Sequence, residues 1–266
     1  LEVSELVNSL ASEAAQRERM NREIEIAREV QERLFPQTVP QLPSTSLAGF
    51  CRPALGVGGD YYDFIELEDG RLGLAVGDVS GKGISAALLM ASLRASLRGM
   101  TLEGGSHNLA RLMGNVNQLV FEASASNRYA TFFFSVFDSK SRELSYVNAG
   151  HNPPVILRHS HDGAPALMYL DAGGPVVGLL RDLPYQEQSI ALAAGDILIA
   201  YTDGISEAMT IEDEEWGEER MIAAAQAARN SSAQEIVAEI FRAVDEFTEG
   251  APQHDDMTLL VFKLEK

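Results

Sequence analysis

From Val3 to Leu34 the chain contains neither proline nor glycine, and Ala, Glu, Arg and Gln dominate. These are good helix formers, so one long helix is predicted. Val3, Leu6, Leu10, Met20, Ile24, Ala27 and Leu34 fall at alternating three- and four-residue spacings, the pattern of a coiled-coil seam, and Glu13, Arg17 and Gln31 interrupt it. Two readings stand side by side: a helix packed on its own domain, or a dimerising, signal-carrying stalk. Pro36, Pro40 and Pro43 end the helix and mark a short linker. The chain thus divides into a helical segment, residues 1–35, and a globular domain, residues 44–266.

Beyond the linker the pattern changes to short strands with a few helices. Leu47 to Pro53 and Asp60 to Leu67 read as strands, and Gly70 as the turn before the apolar strand Leu72 to Val76. Small and apolar residues at helical spacing predict a helix from Ile84 to Met100, and a second runs from Asn108 to Ala123. Strands follow at Thr131 to Asp138, Glu143 to Asn148, Pro154 to Arg158, Ala166 to Leu170, near Tyr185 to Ala191, and Ile197 to Tyr201. Glu219 to Arg229 and Ala233 to Thr248 are helical, and Met257 to Leu264 is a last strand. Strands come in runs rather than alternating singly with helices, which predicts an α+β fold of antiparallel sheets with helices packed outside.

Composition narrows the functions available. Lys and Arg number 21 against 39 Asp and Glu, a formal charge of -18, so the long-range field repels nucleic acid. The single cysteine, Cys51, excludes an internal disulfide and a Cys-rich zinc site and fits a reducing, cytoplasmic compartment. The Arg-Pro-Ala-Leu after it does not form a Cys-x5-Arg phosphatase loop, so Cys51 reads as a packing residue. No run of 18 apolar residues and no basic-then-apolar start is present, so neither a membrane span nor a signal peptide is expected in this segment. The opening at Leu1 rather than Met is what a piece of a longer chain would show.

Four segments place an aspartate at the end of a strand next to glycine or another turn residue. They are Gly58-Gly-Asp-Tyr-Tyr-Asp63, Gly77-Asp-Val-Ser-Gly-Lys-Gly83, Tyr201-Thr-Asp-Gly204 and His254-Asp-Asp-Met-Thr258. Hard cations such as Mg2+ and Mn2+ take carboxylate, carbonyl and water oxygens, and glycine lets backbone approach a site closely. Singly, each segment is an ordinary turn. Together, each beside an apolar strand, they are harder to explain as turns, because loops joining antiparallel strands can gather at one end of a sandwich.

Five phrases, Val57-Gly-Gly-Asp-Tyr-Tyr-Asp-Phe64, Val76-Gly-Asp-Val-Ser-Gly-Lys-Gly83, Asn148-Ala-Gly-His-Asn-Pro-Pro154, Tyr201-Thr-Asp-Gly-Ile-Ser-Glu207 and Asp255-Asp-Met-Thr258, span most of the chain from Leu47 onward. In that order they resemble the bacterial branch of the metal-dependent protein phosphatase (PPM) family, the SpoIIE and RsbU type. Ala27 to Pro36 is similar to the helical linker that joins such phosphatases to an upstream sensor. The resemblance implies an αββα sandwich of two antiparallel sheets flanked by helices. It implies Mn2+ or Mg2+, two per active site: Asp78 bridges both ions, Asp60 and the Val79 carbonyl complete one site, and Asp203 and Asp255 serve the other. Asp60 and Asp78 are then the catalytic pair, and a water between the ions attacks phosphorus in line. The eukaryotic branch carries glycine where this chain has Val79, and a carbonyl ligand tolerates either.

The implied substrate is phosphoserine or phosphothreonine on an anti-anti-sigma (STAS-domain) protein, in stress response and sigma factor regulation. An upstream sensor domain or activator would act through the N-terminal helix of a homodimer. Asp63 and Asp256 are ambiguous neighbours of the ligands, and Asp255 is read as the ligand by its place in the final pair. The eukaryotic phosphate-binding arginine has no counterpart in Ala54 to Gly58, and Arg52 is out of place.

Other reactive residues read more simply. His151 orders a turn, Lys82 lacks the surroundings of a nucleotide loop, and Ser80 and Ser206 lack a His-Asp pair. Trp216 and the acidic Glu212 to Glu219 run read as a solvated loop. The competing reading of the whole is a non-catalytic PPM-fold module that grips a partner; a hydrolase of small phosphoesters is the other.

Overall fold

The computed structural model describes residues 2–102, 105–124, 128–159 and 166–265. The first element is the expected helix, α1, Glu2–Glu32. Its described side chains from Asn8 to Glu23 are all exposed, whereas Ile24, Ala27 and Leu34 are half-buried and Gln31 is buried. The C-terminal half of the apolar seam therefore lies on the domain while the N-terminal half projects from it.

Among the described residues eleven strands follow: β1 (Thr45–Arg52), β2 (Tyr61–Glu66), β3 (Arg71–Val79), β4 (Ala130–Asp138), β5 (Glu143–Ala149), β6 (Val155–Arg158), β7 (Ala166–Tyr169), β8 (Gly173–Gly174), β9 (Gln188–Ala191), β10 (Ile197–Tyr201) and β11 (Met257–Leu264). One sheet has the order β1-β11-β10-β6-β7, the other β2-β3-β4-β5-β8 with β9 also on β5. Helices α2 (Ile84–Leu102) and α3 (Leu109–Ala123) cover the second sheet, and α5 (Gly217–Ala227) and α6 (Ala233–Thr248) cover the first. A short α4 (Asp203–Ser206) follows β10. This is the αββα sandwich.

The strands alternate between two buried faces, as the two-residue period of a strand requires. On β4, Phe132, Phe134 and Val136 pack under α2 and α3, while Phe133 and Phe137 point between the sheets. On β11, Leu259 and Val261 face α5 and α6, while Leu260, Phe262 and Leu264 face the opposite sheet. Both faces are apolar because both are covered. Burying such side chains contributes about 1.5–3 kcal/mol each.

Local signals explain most boundaries. Ser232 and Glu235 form a capping box at the start of α6, and Asn108 caps α3. Helix α2 runs through Gly99, a residue with open space around it, because one glycine costs a helix only about 1 kcal/mol. The glycine-rich stretch after β7 contains β8, which pairs parallel with β5, an exception to the antiparallel expectation that no side-chain pattern announces. Trp216 corrects the solvated-loop reading: it is 3% exposed and sits in the core under α5 and α6, while Glu212 to Glu215 stay exposed around it. The acidic run hides the indole from a reading of mean polarity, but the ring's apolar area decides its place.

Candidate metal centre

The strand period also sorts the aspartates. Asp78, the penultimate residue of β3, shares its phase with Leu72, Leu74 and Val76, which point between the sheets. Asp60, just before β2, shares its phase with Tyr62 and Phe64, which do the same. Asp203 opens α4 directly after β10, and Asp255 lies two residues before β11. All four thus reach one end of the sandwich.

The backbone there is tightly packed. A Cβ on Gly59 would lie 2.6 Å from the Val79 carbonyl oxygen, and one on Gly204 would lie 2.0 Å from the Asp256 carbonyl oxygen, so only glycine fits either position. Thr202 links the segments: its hydroxyl donates to Asp60 Oδ2 at 2.7 Å and accepts from the Thr258 N–H at 2.9 Å. From the linker helix, Gln31 donates to the Gly58 carbonyl at 2.7 Å and accepts from the Gly58 N–H at 3.0 Å. The residue that interrupts the apolar seam is therefore a two-point clamp on the loop that carries Asp60.

Crowded carboxylates raise one another. Asp60 is 2% exposed, and burial first, then the charge of Asp78, pushes its carboxyl well above the usual range. Burial and then Asp203, Asp255 and Asp256 push Asp78 up to about 7. Burial and then Asp255 raise Asp203. Lys82, on the loop between β3 and α2, places Nζ 2.8 Å from Asp255 Oδ2 and donates to the His254 carbonyl. Its ammonium is held in the charged form chiefly by the bond to Asp255.

The two adjacent carboxylates at the end of the chain have different work. Asp256 accepts the Ala54 N–H at Oδ1 and the Gly59 N–H at Oδ2, both at 2.8 Å, and is buried. It closes the β1–β2 loop. Asp255 is half open to solvent. Asp63 points to the other face of β2, fully buried, and takes Arg98 at 2.6 Å through both oxygens. Its role is structural.

Carboxylate and carbonyl oxygens are the donor chemistry that hard cations such as Mg2+ take. Among the described residues no three Asp, Glu, His or Cys side chains stand close enough together to enclose an ion by themselves. Asp60 with the Val79 carbonyl on one side, Asp203 with Asp255 on the other, and Asp78 between them are the residues that would hold such ions.

The remaining candidates stand apart. The His151 turn is ordered by Asn148, whose side chain accepts the His151 N–H at 2.7 Å and donates to the His151 carbonyl at 3.0 Å, so the histidine is the residue held rather than the one holding. Its ring is bonded to Thr131 at 2.9 Å, and burial pulls it down to about 4, leaving it neutral. Arg52 pairs with Asp245 at 2.8 Å and lies over the Phe241 ring. Cys51 packs against the core between the sheets, and burial pushes its thiol up. The Ser80 hydroxyl accepts the Tyr129 N–H, and the Ser206 hydroxyl donates to the Asp203 carbonyl. The roles of Thr202, Gln31 and Lys82 escaped the sequence reading, which took Gln31 only as a break in the apolar seam and set Lys82 aside. The Thr-Asp-Gly and Ser-Gly-Lys-Gly phrases held the signal for two of them.

The SiaA-PP2C domain of Pseudomonas aeruginosa superposes with a TM-score of 0.82 at 21% identity, over 95% of this chain and 99% of that domain. The fold is that of a PP2C-type phosphatase domain. The profile of the stage II sporulation protein E (SpoIIE) family matches residues 68–265, and the chain belongs to that family. Protein IcfG of Synechocystis sp. is 30% identical over 263 residues, 90% of this chain and 41% of IcfG. Phosphoserine phosphatase RsbU of Bacillus subtilis is 29% identical over 248 residues, 91% of this chain and 70% of RsbU. The chain thus spans less than half of IcfG. Metal dependence is general to the PPM family.

Proposed function

We propose that this domain is a metal-dependent phosphoprotein phosphatase that hydrolyses phosphoserine or phosphothreonine on a regulatory protein of the anti-anti-sigma, STAS-domain type. The observation that carries the reading is the acidic edge, where Asp60, Asp78, Asp203 and Asp255 crowd together at one end of the sandwich on backbone so closely packed that only glycine fits at positions 59 and 204. Groups that repel one another so strongly persist where function needs them together. Asp60, Asp78, the Val79 carbonyl, Asp203 and Asp255 would hold two Mn2+ or Mg2+ ions. When bound, such ions lower the pKa of water and offset phosphoryl charge.

The protein's own part is positioning. Thr202 fixes the rotamer of Asp60, Asp256 fixes the loop that presents it, and Gly59 and Gly204 let the segments approach. RsbU, by its name, acts on phosphoserine, which supports that substrate class. No helix of the described residues is long and apolar enough to cross a membrane.

The clamp of Gln31 on Gly58, and the packing of α1 beside α2, give an upstream sensor or activator a route to the site. The projecting half of α1 is the part that would pair in a homodimer. Removal of residues 1–34 should then change cation dependence or turnover.

Turnover of p-nitrophenyl phosphate and of a phosphorylated STAS-domain protein, with and without Mn2+, tests the proposal. Activity should require the ion and be lost in Asp78→Asn. Ion-independent turnover, or full activity in that variant, overturns the two-metal mechanism. Partner binding without any turnover would favour the non-catalytic module instead.

A further inference from the structure

On a chain of net charge -18, one cavity is lined by arginines. It has a volume of about 420 Å³ and lies where the turn after α1 passes over α2. Arg33 enters from that turn and Arg94 and Arg98 from α2, with Phe35, Ile65 and Leu102 as apolar wall. It is distinct from the acidic edge, and none of Asp60, Asp78, Asp203 or Asp255 lines it.

The charges in it do not balance. Asp63, beneath the cavity, is fully buried and already saturated: Arg98 donates Nε to Oδ2 and Nη2 to Oδ1, both at 2.6 Å, Tyr61 donates its hydroxyl at 2.7 Å and Phe64 its N–H at 2.9 Å. One carboxylate is thus matched to one guanidinium. Arg94 Nε stands 3.9 Å from the same Oδ2, a long ion pair beyond hydrogen-bond reach, and this nitrogen is shielded from water with no hydrogen-bond partner. Arg33 makes no ion pair among the described residues, and Glu66, the one carboxylate on the wall, pairs with none of the three.

A desolvated donor left unpaired costs about 1–3 kcal/mol, and more on a charged group. Paired guanidinium forks suit a planar or tetrahedral oxyanion, which takes two N–H groups at once. We propose that this cavity binds a small oxyanion, a phosphate-type or carboxylate group, held by Arg94 and Arg33 with Arg98 fixed behind them by Asp63. The ligand would join the end of the linker helix to α2, whose first residue, Ile84, follows the loop after Asp78. The site is independent of the acidic edge and stands whether or not that edge is catalytic.

Calorimetric titration of the full chain with sodium sulfate, and separately with sodium citrate, tests this. Saturable binding is expected for at least one, weakened tenfold or more in both Arg94→Gln and Arg33→Gln and unchanged in Asp78→Asn. Tighter sulfate identifies a phosphate-type ligand; tighter citrate identifies a carboxylate. Arg33 is exposed on the turn after α1, so its variant keeps the test open if Arg94→Gln fails to fold. Absence of saturable binding, equal affinity in Arg33→Gln, or loss of binding in Asp78→Asn overturns the proposal.

Discussion

Asp60 and Asp63 stand three residues apart at the start of one strand and have opposite surroundings. An odd separation on a strand turns them to opposite faces. Asp60 meets Thr202 and other carboxylates, and its proton affinity rises. Asp63 meets Arg98, Tyr61 and Phe64, and every bond it can accept is made. The same side chain is crowded and raised in proton affinity at one position and a bolt at the other. At the acidic edge carboxylates are in surplus, and in the arginine-lined cavity guanidiniums are. Each surplus points to a ligand of the opposite sign.

The largest break in that comparison comes from the bolt. Asp63→Asn leaves the part-exposed Arg98 beside a neutral amide, and chemical denaturation should show a loss of about 3 kcal/mol, the low end for a broken pair because the guanidinium reaches solvent. Asp78→Asn should do the reverse: turnover with Mn2+ should fall roughly 100-fold or more, while stability without added metal is kept or improved because a repelling charge is gone. A stability loss in Asp78→Asn as large as in Asp63→Asn would erase the distinction between the two aspartates.

Asp255 and Asp256 sharpen the comparison at closer range. Asp256→Ala strands the N–H groups of Ala54 and Gly59 and should cost about 1–3 kcal/mol, read as a lower denaturation midpoint. Asp255→Ala, at a half-exposed position, should leave the midpoint within about 0.5 kcal/mol and instead weaken Mn2+ binding in calorimetry. An intermediate effect on stability is expected at the linker. Gln31→Leu removes both bonds to Gly58 and should cost about 1–2 kcal/mol, accompanied by a changed Mn2+ requirement. An unchanged requirement would show that the clamp only holds the helix in place.

Much of the fold was legible because local rules govern it. Near-continuous apolar runs marked β10 and β11 to the residue, and the capping pair Ser232 and Glu235 began α6 where the sequence placed it. Where local rules fall silent, the reading missed. Nothing in Gly173-Gly174 forecasts a strand, because its pairing comes from β5. Trp216 is hidden in an acidic run, and its burial depends on α5 and α6 closing over it. Gln31 looked like a flaw in an apolar seam because its partner, Gly58, is 27 residues away.

The sequence by itself determined which residue types were available and on which face of each strand they would stand, since backbone geometry fixes side-chain direction. It therefore determined the four aspartates, the glycines that let them approach, and the order of elements. Only the tertiary structure decided what stands opposite each charge. Asp60 beside Thr202, Asp63 against Arg98, Asp256 under two backbone N–H groups and Asp255 beside Lys82 are pairings between distant elements. Electrostatic and hydrogen-bond energies depend on those distances, and no local pattern along the chain encodes them.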